Sequence, residues 1–171
     1  MDTALTRVDA LARLADARSA CAAIRPRVVA AGAWPLAADF GTGPEASWGP
    51  REVLAHLAEM LVFWYGQHGI ITEAGRGPGD PIPFGRNTGD EVRVAVLERD
   101  RRFPVGDLFD LIDDGIARWE RRTQATTDAQ GACVGLHPRR GPMTADQVRD
   151  LLVVAHLEEH LAQLEGALAG G

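Results

Sequence analysis

Four stretches of this chain repeat apolar residues at steps of three and four, and Gly- and Pro-rich connections separate them. That spacing is the period of an α-helix. It gives each stretch one apolar stripe that must be buried, and four such stripes can bury one another in a bundle. The first runs over residues 3–24, with Leu5, Val8, Leu11, Ala12 and Ala15 on its stripe. Asp2 or Thr3 can cap its start, and Pro26 should end or kink it. The second runs from Pro50 to about Thr72, carrying Val53, Leu54, Leu57, Met60, Leu61 and Trp64. Pro50 falls near the first helical position, where a missing N–H costs nothing. The third spans Pro104 to about Thr123, with Leu108, Phe109, Ile112, Ile116 and Trp119 in phase. Its carboxylates at Asp107, Asp110, Asp113 and Asp114 lie off the stripe and read as a solvated face. The fourth opens at Thr144, where Gln147 three residues on completes a capping-box signature. It reaches about Leu168 through Val153, Val154, Leu157, Leu161 and Leu164.

Three connections join these helices. In residues 32–49, Gly32, Pro35, Gly41, Gly43, Pro44 and Gly49 break regular structure, and Trp34 and Phe40 should tuck into the core. Residues 75–90 form a long Gly/Pro loop, and residues 125–143 a third connection ending in His-Pro-Arg-Arg-Gly-Pro. Residues 91–99 fit both an alternating strand and a short helix; with no second strand in view, a short helix is favoured. The expectation is an all-α four-helix bundle with long connections and an extra short helix, formed as a single domain over residues 1–171.

Composition removes several functions. The chain has no lysine, so all 18 basic residues are Arg. A Schiff-base or P-loop lysine is therefore excluded, and Arg replaces neither because it stays protonated. The net charge of −6 argues against a nucleic-acid partner, which needs a cationic face. The Arg pairs 101–102, 121–122 and 139–140 read as solvated surface. Cys21 and Cys133 are far apart, forming neither a disulfide framework nor a thiolate metal site, and Cys21 reads as a small buried hydrophobe. Charged residues interrupt the start of the chain and no apolar run is long enough to span a bilayer, so a soluble cytoplasmic protein is expected.

The chemistry gathers on histidines. His156 and His160 lie four residues apart on the last helix, so both rings leave one side of it, a turn apart. His56, on the second helix, sits at the margin of its stripe with Met60, Phe63 and Gln67. A margin residue can face a pocket or be half-exposed to water. Three imidazoles meeting across a bundle would leave open positions on a shared ion, the pattern of a catalytic site, and would suit Zn, Ni, Fe or Cu equally. His68 and His137 share no such spacing and read as surface or supporting residues. His-Leu-Glu-Glu-His over 156–160 also matches the inverzincin H-x-x-E-H pattern. That motif needs a further acidic ligand well downstream, and Glu165 is the single carboxylate side chain after His160, so the match is set aside.

The segments WGPREVLAHLAEM and TADQVRDLLVVAHLEEHLAQL, in that order about a hundred residues apart, resemble the DinB/YfiT-like four-helix metalloproteins. These are similar to bacterial low-molecular-weight thiol S-transferases and to the N-terminal domain of mycothiol-dependent maleylpyruvate isomerase. The resemblance covers nearly the whole chain, and segment 75–102 departs from it. It implies His56, His156 and His160 as a metal triad holding Zn or Ni, and a thiol such as mycothiol as co-substrate. A thiol ligating such an ion is deprotonated and becomes a nucleophile. Arg139 and Arg140 are then candidates to receive a carboxylate of thiol or substrate, against the plainer reading of an exposed loop. Two further readings stay open. One is a hydrolase using metal-activated water, with Glu59 or Glu159 as general base or as partners that orient a ligating histidine. The other is a metal-binding protein without turnover that pairs with a second copy through helix faces.

Overall fold

The structure is a computed structural model that describes residues 5–32, 34–38, 40, 45–87 and 89–169. Its long helices are α1 (Arg7–Ala30), α2 (Pro50–Ala74), α4 (Val105–Ala125) and α7 (Ala155–Ala169). The shorter ones are α3 (Glu91–Asp100), α5 (Asp128–Gly131) and α6 (Ala145–Arg149). The fold is all-α in class, and the extra short helix is α3, capped by Asp90 accepting from the Arg93 amide at 2.9 Å. Among the described residues, no helix is long and apolar enough to cross a membrane.

Helix α1 corrects the expected boundaries. Thr6 caps it, accepting from the Asp9 amide at 3.1 Å, while Asp2 and Thr3 lie outside the described residues. Pro26 does not end it. Pro26 and Ala22, whose carbonyl loses its helical partner to the proline, both lie on the exposed side of the helix. Ile24 and Val28, on either side of the proline, are buried and hold the helix to the core.

A small sheet corrects the expectation that no strands pair. β2 (Val134–His137) and β3 (Gly141–Thr144) form an antiparallel hairpin, and β1 (Ile82–Pro83), inside the long loop, pairs in parallel with β2. The hairpin turn follows from its sequence. His137, Pro138, Arg139 and Arg140 suit a four-residue turn with proline second. Gly141 then takes φ +77, the left-handed conformation that closes a three-residue hairpin loop.

Two apolar clusters result. The larger takes Leu14, Ile24, Leu54, Leu57, Leu61, Ile112, Ile116, Trp119 and Leu157 among others, from all four long helices. Trp34 and Phe40 pack against it, as the sequence suggested. The smaller joins Ile71, Phe84, Met143, Ala145, Val148 and Leu152, fixing the sheet to the end of α2. The last helical segment serves both. Ala145, Val148 and Leu152 face the small cluster, whereas Val153, Val154, Leu157, Leu161 and Leu164 face the large one. Between α6 and α7 lies a π turn, Asp150–Val154, closed by the Ala155 amide bonding back to the Asp150 carbonyl. Such a turn accommodates an extra residue and changes the helix phase. The helix thereby leaves one core for the other immediately before His156.

Candidate functional site

Helix α2 is surrounded at its N-terminal half, where Glu52 to Ala58 are all buried. His56 is therefore not half-exposed as a margin position can be: it retains 4% exposure. The turn at Glu45–Ser47 and Trp48 covers it, with the Trp48 ring edge-on at 5.5 Å. A buried ion pair anchors the start of α2: Glu52 accepts from Arg101 Nη1 and from the Ala37 amide, both at 2.9 Å. Arg101 is thus buried rather than solvated.

The three histidines converge. His56 Nε2 lies 2.9 Å from His156 Nε2, which lies 3.2 Å from His160 Nε2. Two imidazole nitrogens on one ion, each bonded at about 2.0–2.1 Å, stand about 3.0–3.4 Å apart. The observed spacings are close to that range. A carboxylate oxygen of Glu45 joins the group, and the four ligand atoms all lie within 4.8 Å of one another.

Hydrogen bonding orients the set. Gln163 Nε2 donates to the carbonyls of Glu45 (3.0 Å) and Trp48 (3.3 Å). Its Oε1 therefore faces His160 Nδ1 at 2.9 Å and accepts that ring's N–H. His160 is left with its lone pair on Nε2, directed at His156. Glu159 is exposed, and its carboxylate approaches His156 Nδ1 at 3.7 Å from the side away from the cluster. Arg93 is ion-paired with Glu45 and reaches within 3.5 Å of His56 Nδ1, too long to fix the His56 tautomer.

Electrostatics favour the neutral forms of His56 and His156. Burial first, and then the neighbouring rings of His160 and His156, hold the His56 pKa well below the ordinary histidine range. Burial and His160 likewise lower that of His156. A neutral imidazole carries one N–H and one bare nitrogen, so His56 and His156 can each turn a lone pair toward the cluster. The spacings of 2.9 and 3.2 Å suit N–H···N bonds between the rings in the absence of an ion and ligation of one ion in its presence. Three imidazole nitrogens and a carboxylate in one partly buried cluster fit a divalent ion.

A cavity of about 310 Å³ opens onto His56 and His156. Glu59, Arg86, Trp64 and His137 form part of its wall, with Arg139 and Arg140 at the rim. Arg139 and Arg140 are exposed, as the plainer reading has it, and they also line the cavity. Glu59 also lines it, ion-paired with Arg86 through one oxygen; its Oε2 is buried without a hydrogen-bond partner. Glu159 is not among the lining residues. His137 is 7% exposed and His68 1%, so of the two readings given for them, surface or supporting, the surface one does not hold. His137 shares the cavity with the triad, whereas His68 packs edge-on against Trp119 at 5.3 Å, away from it.

Sequence reasoning missed Glu45, Arg86, Arg93 and Gln163. Glu45 and Arg86 lie in Gly/Pro connections, where no periodicity marks a facing side. Gln163 carried a usable signal: it follows His160 by three residues, within reach on the same helix face.

The architecture and the cluster define a class: a helical bundle with a buried histidine–carboxylate group suited to a metal, opening on a small cavity. The family model for the DinB superfamily matches residues 3–164, and the chain belongs to that superfamily. No curated protein and no solved structure shows a significant match.

Proposed function

We propose that His56, His156 and His160 ligate one divalent ion, Zn or Ni, and that the protein uses it to transfer or isomerise on a small-molecule thiol. The observation that carries this reading is the meeting of three Nε2 atoms at 2.9 and 3.2 Å, with His160 held by Gln163 in the ligating tautomer. When bound, such an ion lowers the pKa of a coordinated thiol, so that sulfur is available as a nucleophile at neutral pH. The chain's own residues do the rest. Gln163 fixes the angle of the His160 ring. Trp48 and the helices around α2 exclude water from the rear of the cluster. The side of His56 and His156 that faces the cavity stays accessible. Arg139 and Arg140, at the cavity rim, are candidates to receive a carboxylate of the electrophile, or of a thiol that carries one such as bacillithiol or glutathione.

A second reading, hydrolysis, draws on Glu59, whose unpartnered Oε2 borders the same cavity. Glu159 supports it less, being exposed and outside the lining. Cobalt-substituted protein separates the two. Adding mycothiol, bacillithiol or glutathione should produce a sulfur-to-cobalt charge-transfer band and thiol-dependent turnover of an electrophile. If no thiol gives either signal and a Glu59→Gln variant loses ester or amide hydrolysis, the hydrolytic reading replaces the first.

A further inference from the structure

The β2–β3 turn places a second kind of polar group in the cavity. His137 is the first residue of that turn, and its ring nitrogen Nδ1 accepts two backbone bonds. The amides of Arg139 and Arg140 both donate to it at 3.2 Å. An imidazole nitrogen that accepts carries no proton, so the proton of the neutral ring lies on Nε2. The fixing group is the turn itself, in the manner of an Asx-turn, so the tautomer is built into the local fold. The ring is held on its faces and edges by Trp64 at 6.0 Å and Phe84 at 5.4 Å. Gly85 borders the Cδ2–Nε2 edge, where an added Cβ would stand 2.6 Å from Cδ2 and 3.0 Å from Nε2, so the absence of a side chain there leaves Nε2 uncovered. No hydrogen-bond partner for Nε2–H is found among the described residues. The residue is more than nine-tenths buried and lines the cavity of His56 and His156.

The cavity's charge says what that donor meets. Its wall carries Arg86, Arg93, Arg139 and Arg140 against Glu45 and Glu59. Each of those carboxylates is already paired, Glu59 with Arg86 and Glu45 with Arg93. Arg140, beside His137 at the rim, has no carboxylate partner among the described residues, so the cavity carries a positive charge there before any metal is counted.

We propose that His137 is a substrate-binding residue whose Nε2–H donates to a carboxylate oxygen of a small anionic molecule held between the hairpin turn and the triad. This rests on the reading that the cavity beside the triad is where the substrate sits. The hairpin then acts as a pre-set donor: binding needs no change of tautomer or ring position. Burial and the two neighbouring guanidinium groups lower the His137 pKa, so the ring stays neutral and its donor geometry is constant at neutral pH.

Two substitutions separate the donor from the turn. His137→Asn keeps an oxygen able to accept from the same amides, since Asn is favoured at the first turn position, but removes the Nε2–H. His137→Gln places an amide N–H near the lost Nε2. The experiment is nitrogen-detected NMR of ¹⁵N-histidine-labelled, zinc-loaded full-length protein titrated with succinate as the anionic probe. The wild-type His137 should show the Nε2–H tautomer, and its Nε2 resonance should move as succinate binds. His137→Asn should weaken succinate about tenfold at unchanged melting temperature, the scale of one hydrogen bond to a charged group, and His137→Gln should recover part of that loss. An Nδ1–H tautomer, no succinate response, or wild-type affinity in His137→Asn would each overturn the proposal. Failure of the triad to bind zinc, with these His137 results intact in metal-free protein, would instead overturn the metal reading and leave this one standing.

Discussion

Helix α2 carries a buried histidine near each end, His56 and His68, twelve residues or about 18 Å apart along the axis. Burial does not distinguish them, at 4% and 1% exposure. Their neighbours do. His56 meets two other imidazoles and a carboxylate, with Gln163 orienting the set. His68 meets the Trp119 ring, and its Nδ1 is buried without a hydrogen-bond partner. It belongs to no group of three or more ligand residues among the described residues. A buried histidine alone is a cost to stability; convergent ring nitrogens, one of them oriented by Gln163, make a candidate binding site.

Substitution should widen that contrast. His56→Ala or His160→Ala should weaken zinc about a thousandfold or more, because a ligand is lost from a small set. His68→Leu should leave zinc affinity within about twofold. Calorimetric titration of tag-free protein measures both. Equal losses at the two positions would erase the distinction.

Acid acts on the two ends differently once metal is bound. The His68 pKa is pushed from 6.5 down to about 4, chiefly by burial and then by Arg122. Below pH 6.5 the unfolded chain takes up a proton that the folded protein refuses, so stability falls as pH drops toward 4. Over that window His68 should cost about 3 kcal/mol, with no contribution above pH 7. Urea unfolding of wild type and His68→Leu at pH 7.5 and 4.5 isolates this share. A pH slope identical in the two proteins would show that His68 titrates normally.

Gln163→Leu probes the cluster through a residue that does not touch the ion's position. It should reduce zinc affinity ten- to a hundredfold, the usual effect of removing a group that orients a ligating histidine. The smallest effect belongs to the surface. Arg27 and Glu165 join α1 to α7 at 2.7 Å, but both are about half exposed. Arg27→Ala should change stability by no more than about 1 kcal/mol, read from thermal unfolding, and should leave metal binding unaltered.

How far the sequence reveals this arrangement depends on which force fixes each part. Helices α2, α4 and α7 announce themselves because burial of one stripe imposes a period on many residues. His156 and His160 are legible for the same reason: their spacing on one helix determines their relation in space. His56 is legible as a margin residue, yet its full burial comes from the 45–48 turn and α3, which no local pattern records. The π turn at Asp150–Val154 is hidden for a related reason. Leu152, Val153 and Val154 are all buried, a run too short to distinguish a phase change from an ordinary wide stripe. The sheet was missed because β1 has two residues and β2 and β3 four each, and Gly135 and Pro142 interrupt their alternation. Even so, His-Pro-Arg-Arg-Gly carries the turn's signature, and with it the orientation of His137.

The central claim is that three imidazoles from α2 and α7 share one cation, and the direct test is a zinc titration of tag-free, metal-stripped protein with histidine ¹⁵N resonances as the readout. One equivalent of zinc should shift the Nε2 signals of His56, His156 and His160 together, then saturate, leaving His68 and its Nδ1 in place. Zinc that moves other histidines, or perturbs the three at different stoichiometries, would contradict a shared centre.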